Sequence, residues 1–117
     1  MRTVTGSGGI QFRAGAQHTE VAKIDQSGNL HLQKLGGGLR IKEGSNARMG
    51  TATLVGGTIQ VNNTSVTANT RIILSRNTTG GTAGHLSTTK SAGASFTINS
   101  SSGTDTSEVA WMLVEPA

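Results

Sequence analysis

Cysteine is absent from the 117-residue chain, so neither disulfides nor thiolate metal sites can brace its fold. Tyrosine is also absent, tryptophan and proline occur once each, and phenylalanine occurs twice. Aromatics therefore make up 3% of the residues and all hydrophobic types 33%. A core drawn mostly from Ala, Val, Ile and Leu gives less hydrophobic stabilisation than is usual for one domain of this length. No stretch approaches the roughly 18 to 20 apolar residues of a membrane-spanning helix, so no membrane insertion is expected. The opening MRTVTGSGGIQF has no apolar h-region, which argues against a secretory signal and for assembly in a cytosol.

What the chain does have is glycine, 17 residues of it, set among many Thr, Ser and Asn. Ordering so many glycines adds to the entropic cost of folding, and burial of further strand faces between copies would offset it. An obligate oligomer, a homotrimer, is the expectation. Gly, Ser and Thr enrichment also suits an unfolded tail, but alternating apolar positions, a charge content of 14% and a single proline favour folded strands. Net charge is +4, with a pI near 10.4, which suits polyanions or an acidic protein shell. The cations are scattered and lack interleaved aromatics, so no sequence-specific nucleic acid partner is expected.

Residues 1–44 read as a β-rich arm. In GIQFRAG, Ile10 and Phe12 alternate with Gln11 and Arg13, the period of a strand with one dry and one wet face. TEVAKID gives a second strand. DQSGN then supplies a turn, with Gly28 free to take positive φ and Asp25 and Asn29 able to bond nearby backbone, before alternation resumes at Leu30 and Leu32. The triple glycine Gly36, Gly37 and Gly38 has no P-loop Lys-Ser/Thr spacing and no helix pattern after it, so it reads as a neck.

Residues 45–117 read as an antiparallel body. TATLV and TIQV flank Gly56 and Gly57, a hairpin signal. TRIILS is a strand with Ile72 and Leu74 on one face, and RNTTGGTAG, Arg76 to Gly84, reads as a polar flexible loop. HLSTTK and SFTIN flank a SAGA turn, with Phe96 and Ile98 on one side. The last strand, EVAWMLV, is apolar on both faces, with Val109, Trp111 and Leu113 opposite Ala110, Met112 and Val114. A strand buried on both sides is a central one. Its residues Ala110, Trp111, Met112 and Val114 are the candidate oligomer interface. The predicted fold class is therefore all-β: an antiparallel β-sandwich or jelly-roll-like body behind a short β-rich N-terminal arm, homotrimeric.

Two sets of residues carry a family resemblance. In the arm, Val21, Ile24, Asp25, Ser27, Gly28, Asn29, Leu30 and Leu32 form a V-x-x-I-D-x-S-G-N-L-x-L element similar to one that recurs in bacteriophage tail-fibre and tail-spike shafts. In the body, GGGLRIKEGSNARMG, TSVTANTRIILSR, GTAGHLS, AGASFTINSSSGTDTSEVAW and the closing VEP resemble a C-terminal module of phage tail-fibre and other virion appendage proteins. The resemblance implies a trimeric, β-rich virion structural protein assembled in the bacterial host cytoplasm. Other virion proteins, of tail or capsid, would be its partners through the arm, and a host surface glycan is a further candidate. A tail-fibre-like or head-fibre-like appendage is the leading expectation, and a capsid decoration protein is the alternative. A chain this short that begins at its own Met1 reads as a small stand-alone protein or as a fragment of a longer fibre.

No catalytic constellation emerges, and no enzyme activity, metal or cofactor is expected. His18, His31 and His85 lack paired ligand spacing and read as ordinary surface histidines. Asp105 and Glu108 are the nearest approach to a carboxylate pair, but they flank a Ser/Thr turn expected to lie in solvent. No G-x-S-x-G elbow accompanies the abundant serines. Arg76, Asn77 and His85 mark the candidate surface recognition loop, because loops on a rigid scaffold often carry recognition.

Overall fold

In the computed structural model of the chain, residues 2–4, 9–15 and 19–117 are described. Period-two alternation is realised as ten strands in three antiparallel sheets, with no helix among the described residues. The chain is all-β, and it divides into two compact units, residues 1–40 and 41–117.

The first unit is a four-stranded meander of β1 (Arg2–Val4), β2 (Ile10–Ala14), β3 (Thr19–Ile24) and β4 (Leu30–Leu32). The β3–β4 turn forms as its residues dictate. Gly28 takes φ +89°, and Asp25 Oδ1 accepts from the backbone N–H of Ser27 and Asn29, at 2.9 Å each. The expected dry and wet faces of β2 differ from the prediction: Phe12 is exposed while Gln11 and Arg13 are half-buried. The described strands of this unit form one layer, and nothing within that layer covers Phe12.

The second unit is a sandwich. One sheet has the order β5 (Met49–Thr53), β10 (Glu108–Val114), β7 (Arg71–Thr78), and the other β6 (Thr58–Asn62), β9 (Ser95–Ser100), β8 (Leu86–Ser91). The central strands supply the heart of the core: Val109, Trp111 and Leu113 from β10 meet Phe96 and Ile98 from β9, with Leu54 and Val66 closing the layer. Trp111 and Phe96 pack edge to face, 5.1 Å between centroids and 72° between planes. A strand that is apolar on both faces thus takes the central place.

Two expectations are corrected. Gly56 and Gly57 do make a tight turn, with φ +60° and +82° and a Val55–Thr58 bridge, but the strands on either side part at once into different sheets. The backbone partners on both sides are already taken: Leu54 N–H donates to Ser107 O, Gly57 N–H to Asp105 O, and Ser100 N–H to Gly57 O. The loop expected to begin at Arg76 begins later. β7 continues through Thr78 because Arg76 keeps the inward alternation of Ile72 and Leu74.

Candidate functional site

The outward residues of the β5-β10-β7 sheet are fixed by register. Met49, Met112 and Ile73 lie side by side across the three strands, followed by a row of Thr51, Ala110 and Ser75. Val114 follows on β10, in register with the exposed Arg71. Ile73 is 52% exposed and Val114 40%, so no part of the described body covers them. Met49, Ile73, Ser75, Ala110 and Met112 surround a shallow depression of about 160 Å³, with Leu74 and Trp111 completing the lining. The centre of this face carries no charge.

Of the candidate interface residues, Ala110, Met112 and Val114 point outward, whereas Trp111 lies in the core at 5% exposure. Its indole Nε1 is buried without a hydrogen-bond partner among the described residues. Opposite it on β5 stands Gly50, where a Cβ would come within 2.6 Å of Trp111 Cζ2. The indole therefore occupies the space that a side chain at position 50 would need.

At one end of the sandwich the polar loops are fastened by Asp105, which is fully buried rather than solvent-exposed as expected. Its carboxylate accepts from Arg76 Nη1 at 3.1 and 3.0 Å, from the Ser100 and Ser107 hydroxyls at 2.6 Å each, and from the backbone N–H of Gly84 and Ser107. Hydrogen bonds from the Ser100 and Ser107 hydroxyls above all hold this carboxyl well below the usual carboxylate range. A buried carboxylate is tolerated only when its oxygens are satisfied this fully. Arg76 Nη2 also donates to Gly84 O at 2.6 Å. The strand end of β7 and the loops 79–84 and 101–107 thus share one fastening, reinforced by a Gly81–Asp105 bridge.

A second carboxylate ties down the residue after β10. Glu115 accepts from Arg48 Nη2 at 3.1 Å, from Thr67 Oγ1 at 2.9 Å and from Thr70 Oγ1. The Thr70 hydroxyl is the largest cause of its lowered pKa. Arg48 also reaches Ser65 O at 2.8 Å, so the 63–70 loop and the chain end are held together.

The candidate recognition residues have distinct settings. Arg76 is turned inward, with its donors on Asp105, Ser107 and Gly84. Asn77 is exposed and donates from Nδ2 to Glu108 Oε1 at 2.6 Å. His85 is exposed, and its backbone pairs with Ser101. In the arm, His31 Nε2 lies 2.8 Å from Asp25 Oδ2, and His18 lies outside the described residues. Sequence reasoning missed the roles of Asp105, Ser100, Ser107 and Gly50. Only the inward phase of Arg76 on a strand could have signalled the first three.

Fold and surfaces together define a small antiparallel β-sandwich domain with an apolar outer sheet face. A family model, K1 capsule-specific polysaccharide lyase, C-terminal domain, matches residues 46–114, and the chain belongs to that family. This is the C-terminal domain of a phage tail-spike protein, in keeping with a phage tail appendage module. No curated protein and no solved structure matches the chain.

Proposed function

We propose that the chain is a non-enzymatic structural module of a phage tail appendage, a virion component that associates as a homotrimer through the outer face of β5-β10-β7. The observation that carries this reading is the uncharged Met49–Met112–Ile73 row with Val114 beyond it, an apolar sheet face that the described body leaves open. Exposed apolar patches of this kind on a small protein mark interaction surfaces. Residues 1–40 then serve as the arm that meets other virion proteins. A structural role also accounts for three carboxylates of the body: Asp105 and Glu115 fasten loops, and Glu108 is bonded to Asn77.

The full lyase named by the family acts on a capsule polysaccharide. For this chain, contact with a host surface glycan is a reading for the exposed surface of Asn77, near the end of β7, and His85, where hydroxyl-bonding side chains lie on a rigid scaffold. Labelled antibody on intact particles tests the placement. Label confined to the tail is the expected result. Label on the capsid, at copy numbers matching three-fold or quasi-three-fold positions, would overturn it in favour of capsid decoration.

A further inference from the structure

The outer face of β6-β9-β8 differs in kind from that of β5-β10-β7. Register sets Gln60, Thr97 and Thr89 side by side across its three strands, with Asn62, Ser95 and Ser91 in the next row. Thr58, Asn99 and Ser87 form the row on the other side. Phe96 and Ile98, which alternate with the β9 members, lie in the core, so all these rows point outward. Every side chain in them ends in a hydroxyl or a carboxamide. Lys90 is the one charged residue of the three strands, and its register with Phe96 puts it on the inner side, where Nζ donates to Thr70 O at 2.6 Å. Solvated surfaces ordinarily intersperse Lys, Arg, Asp and Glu, and this face carries none. Thr58 Oγ1 donates to Asn99 Oδ1 at 3.0 Å and Gln60 Nε2 to Asn62 Oδ1 at 2.9 Å. The hydroxyls of Ser87, Thr89, Ser91, Ser95 and Thr97 have no partner among the described residues.

We propose that this face binds an uncharged polysaccharide laid across the three strands. The proposal rests on the glycan reading above and gives that contact a place and a ligand class; His85 stands two residues before Ser87, at one end of the array. A hydroxyl both donates and accepts, as the hydroxyls of a sugar do, so the two surfaces satisfy each other bond for bond. An anionic ligand would set its oxygens against these acceptors with no cation to hold it. An apolar partner would take water from the free hydroxyls and return no bonds. Thr89 and Thr97, in register at the middle of the array, are β-branched and restricted in χ1, so they lose little freedom on binding. The face measures roughly 14 Å along β9 and 10 Å across the strands, more than one sugar ring covers. It holds no aromatic platform for stacking a single sugar, and recognition therefore falls to many hydroxyl contacts along a polymer. Association through β5-β10-β7, the opposite layer of the sandwich, leaves this face in solvent.

Native affinity electrophoresis of the full chain in gels cast with dextran, mannan or galactan tests the site, with polygalacturonate as the charged comparison and a non-binding protein to correct for sieving. Slowed migration in at least one neutral gel is the expected result. Thr89→Val combined with Thr97→Val removes two hydroxyls and keeps their shape, and should weaken the apparent Kd roughly tenfold. Ser91→Ala combined with Ser95→Ala repeats the test should the first pair fail to fold. Slowing in a neutral gel that neither pair changes would overturn this site and leave the glycan reading at Asn77 and His85 standing. Slowing by polygalacturonate alone would overturn the proposal, since the face holds no cation. Unslowed migration in every gel would overturn this site and the glycan reading together.

Discussion

Gly50→Ala places the smallest possible side chain against the most constrained ring in the body. The new Cβ would stand 2.6 Å from Trp111 Cζ2, 3.0 Å from Cε2 and 3.3 Å from Cη2. Carbon atoms prefer about 3.5–4.0 Å, so the shortfall is about 1 Å. The indole has little freedom to retreat, since it is 5% exposed and set edge-on to Phe96. Overpacking of this kind costs about 1–3 kcal/mol. Loss of glycine's freedom in the unfolded chain returns about 0.4–1 kcal/mol, so the clash wins. At about 4–8 °C per kcal/mol for a domain of this size, Tm should fall by roughly 5–15 °C. Circular dichroism melts at one fixed protein concentration measure it, because association makes Tm concentration-dependent. In a Trp111→Leu background the same Gly50→Ala change should cost far less, since the two sites are coupled through the ring. A Tm for Gly50→Ala within about 2 °C of the parent, or an equal loss in both backgrounds, would refute the reasoning.

Other consequences follow from the carboxylates and the open face. Asp105→Asn removes the charge partner of Arg76 and weakens the bonds from Ser100, Ser107 and Gly84; hydrogen exchange at the Gly84 and Ser107 amides should speed up, and unchanged protection would show that the loops are held by other means. Asp105 and Glu115 both have folded-state pKa values below the usual carboxylate range, so their contribution is present above that range and fades as pH falls. Urea midpoints should therefore drop between about pH 5 and pH 2, and a flat profile would contradict the bonding described. Glu115→Gln should loosen the 63–70 loop while leaving the core intact, seen as faster exchange at Thr67 and Asn69 with a smaller Tm loss than Asp105→Asn. Met112→Glu puts a charge in the middle of the open face and should dissociate the assembly without unfolding the chain, read by light scattering alongside an unchanged circular dichroism spectrum.

Residues that act through local rules were the legible ones. Gly28 turned where an Asx turn needs positive φ, and Val109 to Val114 became a central strand because both of its faces are apolar. Gly56 and Gly57 turned as well, yet the partners of the strands they join were set by the 100–107 loop, which no local pattern encodes. Asp105 looked like a solvated turn residue because its partners Arg76 and Gly84 are more than twenty positions away in sequence. Gly50 gave no signal, since its necessity comes from a ring sixty-one positions downstream that faces it only in the folded sheet. The apolar outer face was readable from EVAWMLV, although Trp111, grouped with it by sequence, belongs to the core.

Self-association is the central claim, and sedimentation equilibrium of the full chain at micromolar concentration tests it most directly. The account predicts a mass about three times the 11.9 kDa of one chain and its collapse to a single-chain mass in Met112→Glu. A parent protein that sediments at the mass of one chain would contradict it.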